Sequence, residues 1–177
     1  MKQILVPTRE QVNLNNQAIF DNLKNAIGFV PNLYATYAHN ETALGDYLTL
    51  QNRKTTLSAI EREVINLVVS QVNDCKYCVP AHTAIAKMYK LTDEQILEIR
   101  KVEIPNDKKL DALAKVVKEI TISKGKPSPQ IMEAFFEAGY NEANLVDVVM
   151  IIGDKIISNY FHGITQVPID FPEVPQI

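Results

Sequence analysis

Apolar residues recur along most of the chain at spacings of three and four, and few stretches alternate apolar and polar residues with period two. Spacings of three and four place side chains on one face of an α-helix, whereas alternation is typical of a strand. Glycine, proline, asparagine and aspartate interrupt the apolar stretches at short intervals. The pattern therefore predicts an all-α fold, a compact bundle of several helices.

Capping residues predict where these helices begin and end. A serine or threonine three residues before glutamate or glutamine can form hydrogen bonds across the first helical turn, and this pattern occurs at Thr8, Ser58 and Thr92. Gly28 and Gly139 are typical of helix C-termini, because glycine adopts the left-handed conformation at little cost. The signals predict helices over approximately these residues: 8–28, 33–38, 41–52, 58–73, 75–89, 92–101, 106–123, 128–139 and 141–163.

Length and composition favour one domain. The chain has 177 residues, of which 46% are hydrophobic and 22% charged, as is typical of a globular protein that buries a sizeable core. The last 15 residues contain three of the nine prolines, which a helix interior does not tolerate. We therefore expect a single domain over residues 1–177, with an extended tail from about residue 164.

Charge and hydropathy exclude several classes of partner. Eighteen basic residues against 21 acidic ones give a net charge of −3 without a basic block, so nucleic acid is not an expected partner. The apolar patch of residues 1–6 ends at Pro7, well short of a signal sequence, and no run approaches the roughly 18 apolar residues of a membrane helix. We therefore expect a cytoplasmic protein without a membrane partner.

The two cysteines of the chain form a C-x-x-C motif. Cys75 and Cys78 are separated by two residues, and His82 follows four residues after the second cysteine. On a helix that turns by about 100° per residue, all three side chains would share one face. A helix N-terminus favours the reactive thiolate, and His82 could accept the proton of Cys78. In a reducing compartment the motif indicates redox or metal chemistry.

The helix dipole and the histidine favour different cysteines as the nucleophile. Cys75 lies nearer the predicted helix N-terminus and should experience more of the dipole, as in thioredoxin-like motifs. His82 lies one turn from Cys78 and two turns from Cys75, so direct proton transfer reaches only Cys78. On this argument Cys78 is the preferred nucleophile.

Other interpretations of the motif remain open. In a structural metal or protein-binding module, Cys75, Cys78 and His82 would provide three ligands for a zinc ion, but no further residue pair supplies a recognisable fourth ligand. The same residues could be ordinary core side chains, and the remaining histidines, His39 and His162, are expected to be structural or capping residues. We expect neither a cofactor nor a metal ion. A decarboxylase or isomerase acting on a small carboxylated ring is a third alternative.

Glu63 and Tyr77 are further candidates for the site. Glu63 lies twelve residues before Cys75, and a helical hairpin could return it to His82. It could equally be a solvated carboxylate in the charged first turn of its helix, where negative charge suits the dipole. Tyr77 lies inside the motif, and Pro80 soon after it lacks an N–H, so the helix starts only near Cys78 or has a distorted first turn.

Glu63, eleven intervening residues and the segment 75–82 (CKYCVPAH) together resemble the signature of the alkylhydroperoxidase D-like branch of the carboxymuconolactone decarboxylase superfamily. The resemblance extends over most of the chain, through segments 28–33, 57–63, 159–161 and 170–172. It implies an alkylhydroperoxidase D-like helical bundle, assembly as a homo-oligomer and thiol-dependent reduction of a peroxide substrate by an external dithiol reductant.

The resemblance also implies a role for each candidate residue. Cys78 corresponds to the peroxidatic cysteine, Cys75 to its resolving partner, His82 to the proton relay and Glu63 to the base that supports it. Tyr77 occupies a position at which the best-studied peroxidase branch has histidine, so it is also a candidate catalytic residue. The decarboxylase branch lacks the cysteine pair, and its lactone chemistry is not implied.

Overall fold

The computed structural model describes residues 4–177, and in this range the chain forms nine α-helices, one short 3-10 turn and no strand. The prediction of an all-α fold is confirmed. The α-helices, numbered in chain order, are α1 (Leu14–Ile27), α2 (Asn32–Tyr37), α3 (Ala43–Gln51), α4 (Ala59–Val72), α5 (Cys78–Met88), α6 (Asp93–Lys101), α7 (Lys108–Ser123), α8 (Pro129–Glu137) and α9 (Glu142–Thr165).

Several helix ends form as the local sequence predicts. Ser58 and Thr92 cap α4 and α6, and in each case the backbone N–H of the capping residue donates to the side chain of the glutamate or glutamine three residues later. Gly28 ends α1 with a φ of 89°, a left-handed conformation that suits glycine. These ends were predictable because each rests on hydrogen bonds within a single turn.

The prediction that Thr8 opens the first α-helix is wrong. Its backbone N–H donates to the Gln11 side chain at 2.8 Å, but the turn is a 3-10 turn of three residues, Arg9–Gln11. The backbone at Val12 is extended, and α1 begins only at Leu14. Asn13 caps it, since its side chain accepts a hydrogen bond from the N–H of Asn16 at 2.8 Å.

The start of α5 agrees with one of the two alternatives that Pro80 left open. The helix begins at Cys78 rather than near Cys75, so Cys75 precedes it. The backbone at Asp74 is left-handed, with a φ of 49°, and the N–H of Cys75 donates to the carbonyl of Ser70 at 2.9 Å. These interactions end α4 and hold residues 73–77 in a turn.

Contacts divide the chain into two compact units. One comprises the chain up to Arg53 together with Phe161–Asp170, and the other comprises Lys54–Tyr160 together with Phe171–Ile177. The single domain expected over residues 1–177 stays a prediction, and residues 1–3 of the expected apolar patch lie outside the described range. Among residues 4–177 no helix is long and apolar enough to span a membrane.

The unit that contains Lys54–Tyr160 has its core around α4. This helix packs against α5, α6 and α7, and α7 also packs against α8. The side chains of α4 that are fully buried are Val64, Ile65, Leu67, Val68 and Val69. At about 1.5–3 kcal/mol for each fully buried aliphatic side chain, α4 is the main hydrophobic element of the unit. Polar side chains that emerge from it toward α5 are therefore rigidly supported.

The other unit contains α1, α2 and α3. The ring of Tyr37 stacks between those of Tyr47 and Phe161, with centroid distances of 4.7 and 4.6 Å. The N–H of Asn32, at the start of α2, donates to Oδ2 of Asp170 at 2.7 Å. Aromatic packing and this charge-assisted hydrogen bond join segments of the unit that are distant in sequence.

Candidate active site

Cys75 and Cys78 lie side by side and are almost completely buried. Their Cα atoms are 5.3 Å apart, their sulfur atoms lie at disulfide distance, and each residue is 4% exposed. Disulfides require Cα atoms within about 7 Å and side chains that point toward each other. The pair meets both conditions, as the spacing of the motif predicts.

Cys75 reaches Cys78 from a turn and not from a helical face. Its Sγ accepts the backbone N–H of Cys78 at 3.2 Å, and its carbonyl oxygen accepts the N–H of Val79 at 3.1 Å. The Cys75 side chain thus covers a free N–H at the start of α5, as a capping side chain does. Cys75 therefore does not share a helical face with Cys78, contrary to the prediction, but the turn produces the same proximity.

Glu63 and His82 form a buried pair across the helices α4 and α5. Nδ1 of His82 lies 2.9 Å from Oε2 of Glu63, and the two side chains are 9% and 7% exposed, respectively. The other carboxylate oxygen, Oε1, accepts a hydrogen bond from the side-chain amide of Asn66 at 2.9 Å. Asn66 follows Glu63 by one helical turn and lies on the same face. The hairpin formed by α4 and α5 therefore brings together two of the residues singled out in the sequence.

The charge state of Glu63 follows from its partners. Burial raises the pKa of this carboxyl group, but the charge and hydrogen bond of His82, the amide of Asn66 and the positive charge of Lys155 lower it. The net result is a pKa below its ordinary value. Glu63 is therefore a carboxylate at neutral pH, and a carboxylate only accepts hydrogen bonds, so Nδ1 of His82 carries a proton.

Lys155 is a site residue that the sequence analysis missed. Its Nζ lies 3.2 Å from Nε2 of His82 and 3.5 Å from Oδ2 of Asp154, and the side chain is 2% exposed. Lysine is almost never fully buried without a partner. The sequence carried a signal, since Asp154-Lys155 is a charged pair within the apolar run 148–157 of the last helix.

The ring of His82 does not hydrogen-bond to Cys78 in the described chain. Within residues 4–177 its two nitrogens contact Glu63 and Lys155. The direct link between Cys78 and His82 considered from their spacing is therefore absent in the disulfide-paired arrangement. His82 nevertheless lies one helical turn after Cys78 on α5.

Tyr77 is 3% exposed, and its ring meets that of Phe171 edge-on, with a centroid distance of 5.5 Å. Phe171 belongs to the segment after α9, which Arg100 also contacts by donating a hydrogen bond to the carbonyl of Pro175 at 2.8 Å. This segment therefore lies against the residue between the two cysteines.

The two remaining histidines each contact a backbone carbonyl oxygen. Nε2 of His39 lies 2.7 Å from the carbonyl oxygen of Leu5, and Nε2 of His162 lies 3.2 Å from that of Val167. Burial lowers the pKa of His162, although its backbone hydrogen bond acts in the opposite direction. In the described part of the chain, no group of three or more histidine, cysteine, aspartate or glutamate residues is placed to hold a metal ion.

Comparison with known proteins shows what this helical dithiol site is similar to. The model of the carboxymuconolactone decarboxylase family matches residues 37–119, a range that includes Glu63, both cysteines and His82. This stretch, slightly less than half of the chain, is similar to that family. A relative from Bacillus subtilis (strain 168), the uncharacterized protein YdfG, is 27% identical over 105 residues, which cover 56% of this chain and 69% of the relative.

Solved structures of other proteins share the fold, and two of them are compared with this chain. The alkylhydroperoxidase AhpD core of an uncharacterized peroxidase-related protein from Ralstonia eutropha JMP134 matches with a TM-score of 0.85 and 20% identity, over 96% of this chain and 94% of its own. The debrominase Bmp8, in complex with 2,3,4-tribromopyrrole, matches with a TM-score of 0.80 and 13% identity, over 96% and 92%. The resemblance to the alkylhydroperoxidase D-like fold is confirmed. Because proteins named for different reactions share it, the fold does not decide the chemistry.

Proposed function

We propose that this protein is a thiol-dependent peroxidase that reduces hydroperoxides, including alkyl hydroperoxides, through a dithiol and disulfide cycle of Cys75 and Cys78. The observation that carries the proposal is the buried cysteine pair at disulfide distance. His82, which is paired with Glu63 of α4, lies one turn after Cys78 on α5. The match of residues 37–119 to the carboxymuconolactone decarboxylase family model and the AhpD-like fold support an enzyme of this class.

The proposed reaction has three balanced steps. The Cys78 thiolate attacks one peroxide oxygen, the O–O bond breaks, and the products are a Cys78 sulfenic acid and an alkoxide that takes up the proton released by the thiol. The Cys75 thiol then condenses with the sulfenic acid, which forms the disulfide and releases water. An external dithiol reduces the disulfide by exchange and is itself oxidised.

Cys78 is the proposed nucleophile for two reasons. It is the first residue of α5, where the helix dipole favours a thiolate. It also lies one turn from His82, the proposed proton acceptor, while Cys75 lies in the preceding turn. Cys75 is the proposed resolving cysteine, because its sulfur is already adjacent to that of Cys78.

Glu63, His82 and Tyr77 support the dithiol in this proposal. His82 is the proton relay, and Glu63 is the base that supports it by holding Nδ1 as a donor, which leaves Nε2 as the nitrogen that can accept a proton. Tyr77 belongs to the site through its buried ring against Phe171. A Tyr77→Phe variant, which keeps the ring, tests whether the hydroxyl is also needed.

Counting thiols around a single peroxide addition tests the proposal. Reduced protein is kept anaerobic, its thiols are titrated before and after one equivalent of an alkyl hydroperoxide, and zinc is measured on the same sample. We expect two thiols before, none after, and less than stoichiometric zinc. Cys78→Ser is the matched control and should retain its remaining thiol. Retained thiols with one zinc per chain would instead support a metal-binding module, and retained thiols without zinc would favour a non-redox decarboxylase or isomerase.

A further inference from the structure

We propose that Lys155 is a positioning residue that keeps His82 neutral, with Nε2 able to accept a proton. The observation is the 3.2 Å contact between Nζ of Lys155 and Nε2 of His82, inside a site where both side chains are buried. The inference rests on the proposed function only for the use of that proton. The protonation state itself follows from the geometry.

A hydrogen bond between Nζ of Lys155 and Nε2 of His82 requires that one nitrogen donates a proton and the other accepts it. Nδ1 of His82 donates to the Glu63 carboxylate, so the state of the ring depends on Nε2 alone. If Nε2 and Nζ both carried all the protons they can hold, two cationic donors would face each other at 3.2 Å without an acceptor. One of them must therefore accept: either a neutral His82 accepts from the Lys155 ammonium, or a neutral Lys155 accepts from an imidazolium.

The ordinary basicities of the two groups favour the ammonium on Lys155. Around this contact, α4 contributes Glu63 on the Nδ1 side and α9 contributes Asp154 at 3.5 Å from Nζ, while Cys78 lies one turn before His82 on α5. Each of the two bases thus has one carboxylate beside it. A lysine amine ordinarily binds its proton about four pH units more tightly than an imidazole, so the shared contact is best satisfied by an ammonium that donates to a neutral ring.

Without the charge of Lys155, His82 would have only the Glu63 carboxylate as a charged neighbour at its ring. A histidine beside a buried carboxylate alone is stabilised as an imidazolium, and an imidazolium cannot accept the proton of a thiol. The Lys155 ammonium opposes protonation of Nε2 and so maintains His82 as a base. When the Cys78 thiol gives its proton to Nε2, the hydrogen bond from Lys155 breaks, and the ammonium retains Asp154 as its counter-charge.

Nitrogen NMR of His82 tests the inference directly. Protein labelled with ¹⁵N-histidine is measured in its disulfide form at pH 7, and His82 is assigned by its absence in a His82→Gln variant. In the wild-type protein we expect Nδ1 protonated and Nε2 unprotonated. In Lys155→Met we expect both nitrogens protonated, whereas Lys155→Arg, which keeps the charge, should retain the neutral ring. Lys115→Met removes a half-exposed lysine and is the charge-matched control.

Activity at different pH values provides a second readout. In Lys155→Met, peroxide consumption at pH 7 should fall by about tenfold or more and recover at higher pH, where the imidazolium loses its proton. Lys155→Arg should remain close to the wild type. A purely structural lysine would give a loss without recovery at high pH.

The two proposals fail separately. A neutral His82 in Lys155→Met at pH 7 would overturn the role of Lys155, even if the wild-type protein consumes peroxide. An imidazolium in the wild-type protein at pH 7 would also overturn it, and this measurement does not depend on the folding of any variant. If the wild-type protein consumes no peroxide while the NMR results are as expected, only the peroxidase proposal fails.

Discussion

Nδ1 of His82 donates to Oε2 of Glu63 at 2.9 Å, and both side chains are almost fully buried. A carboxylate removed from water is costly unless it is fully hydrogen-bonded, and here His82 and Asn66 together satisfy both oxygens. The pair therefore contributes to the stability of the fold as well as to the proposed chemistry.

Glu63→Gln should change how stability depends on pH. Because folding lowers the pKa of Glu63, its stabilising contribution is present above its ordinary pKa of 4.5 and is lost as the pH falls through the lower folded-state value. At pH 7 we expect the variant to lose about 1–3 kcal/mol in the free energy of unfolding, from urea denaturation. Near pH 3 the loss should be smaller. Glu133→Gln, at an exposed position, is the control, and an equal loss at both pH values would contradict the prediction.

The two cysteines should respond differently to replacement. Cys75→Ser should still consume one equivalent of peroxide and stop at a sulfenic acid that a dimedone-type reagent traps, because the nucleophile remains but the resolving thiol is gone. Cys78→Ser should be inert. Mass spectrometry of the trapped adduct checks both variants. A sulfenic acid trapped at Cys75 in the Cys78→Ser protein would reverse the two roles.

Removing His82 should slow formation of the thiolate at neutral pH. We expect His82→Gln to reduce the rate of peroxide consumption by roughly 10²- to 10⁴-fold at pH 7, the usual size of a general-base contribution. Much of the loss should be recovered at higher pH, where the thiol ionises without help. Stopped-flow measurement of a single turnover over a range of pH values checks this. If lower stability accompanies a loss that no pH restores, His82 is a structural residue.

Phe171→Ala should open the surroundings of the cysteine motif. The variant removes the edge-on contact with Tyr77, which should lower the free energy of unfolding by about 0.5–1.5 kcal/mol beyond the loss of buried area. The reduced cysteines should then react faster with a bulky maleimide. Glu173→Gln, at an exposed position in the same segment, is the control. An unchanged labelling rate would show that this ring does not limit access to the thiols.

The chain should assemble as a homo-oligomer through α9. Up to Tyr160, five exposed large apolar residues lie on one face of this helix, namely Val146, Val149, Met150, Ile157 and Tyr160, with exposures from 39% to 60%. A stripe of this kind is typical of a protein interface. Ile157→Glu should weaken assembly in analytical ultracentrifugation, whereas Ile122→Glu, at an exposed apolar position on α7, should not. A wild-type species near 19.9 kDa at high micromolar concentration would contradict the prediction.

The local sequence determined much of the helical architecture. The capping boxes at Ser58 and Thr92 correctly predicted the starts of α4 and α6, because their hydrogen bonds join residues within one turn. The spacing of Cys75, Cys78 and His82, with Glu63 on the preceding helix, was enough to identify the family resemblance and to name candidate site residues. The helix starts and the resemblance needed only near neighbours in the chain or a specific motif, whereas the catalytic roles of these residues stay predictions.

Only the tertiary structure decided which residues distant in sequence meet. Lys155 reaches His82 across 73 positions of the chain, and the lysine carries no local motif that specifies this partner. The left-handed backbone at Asp74 moved Cys75 out of α5, although the same residues were compatible with a longer helix. Val148 is buried while Val149 is half exposed, although both are valines in one apolar run. Periodicity shows that a helix has apolar faces, but the packing of the remaining chain determines which face meets the core.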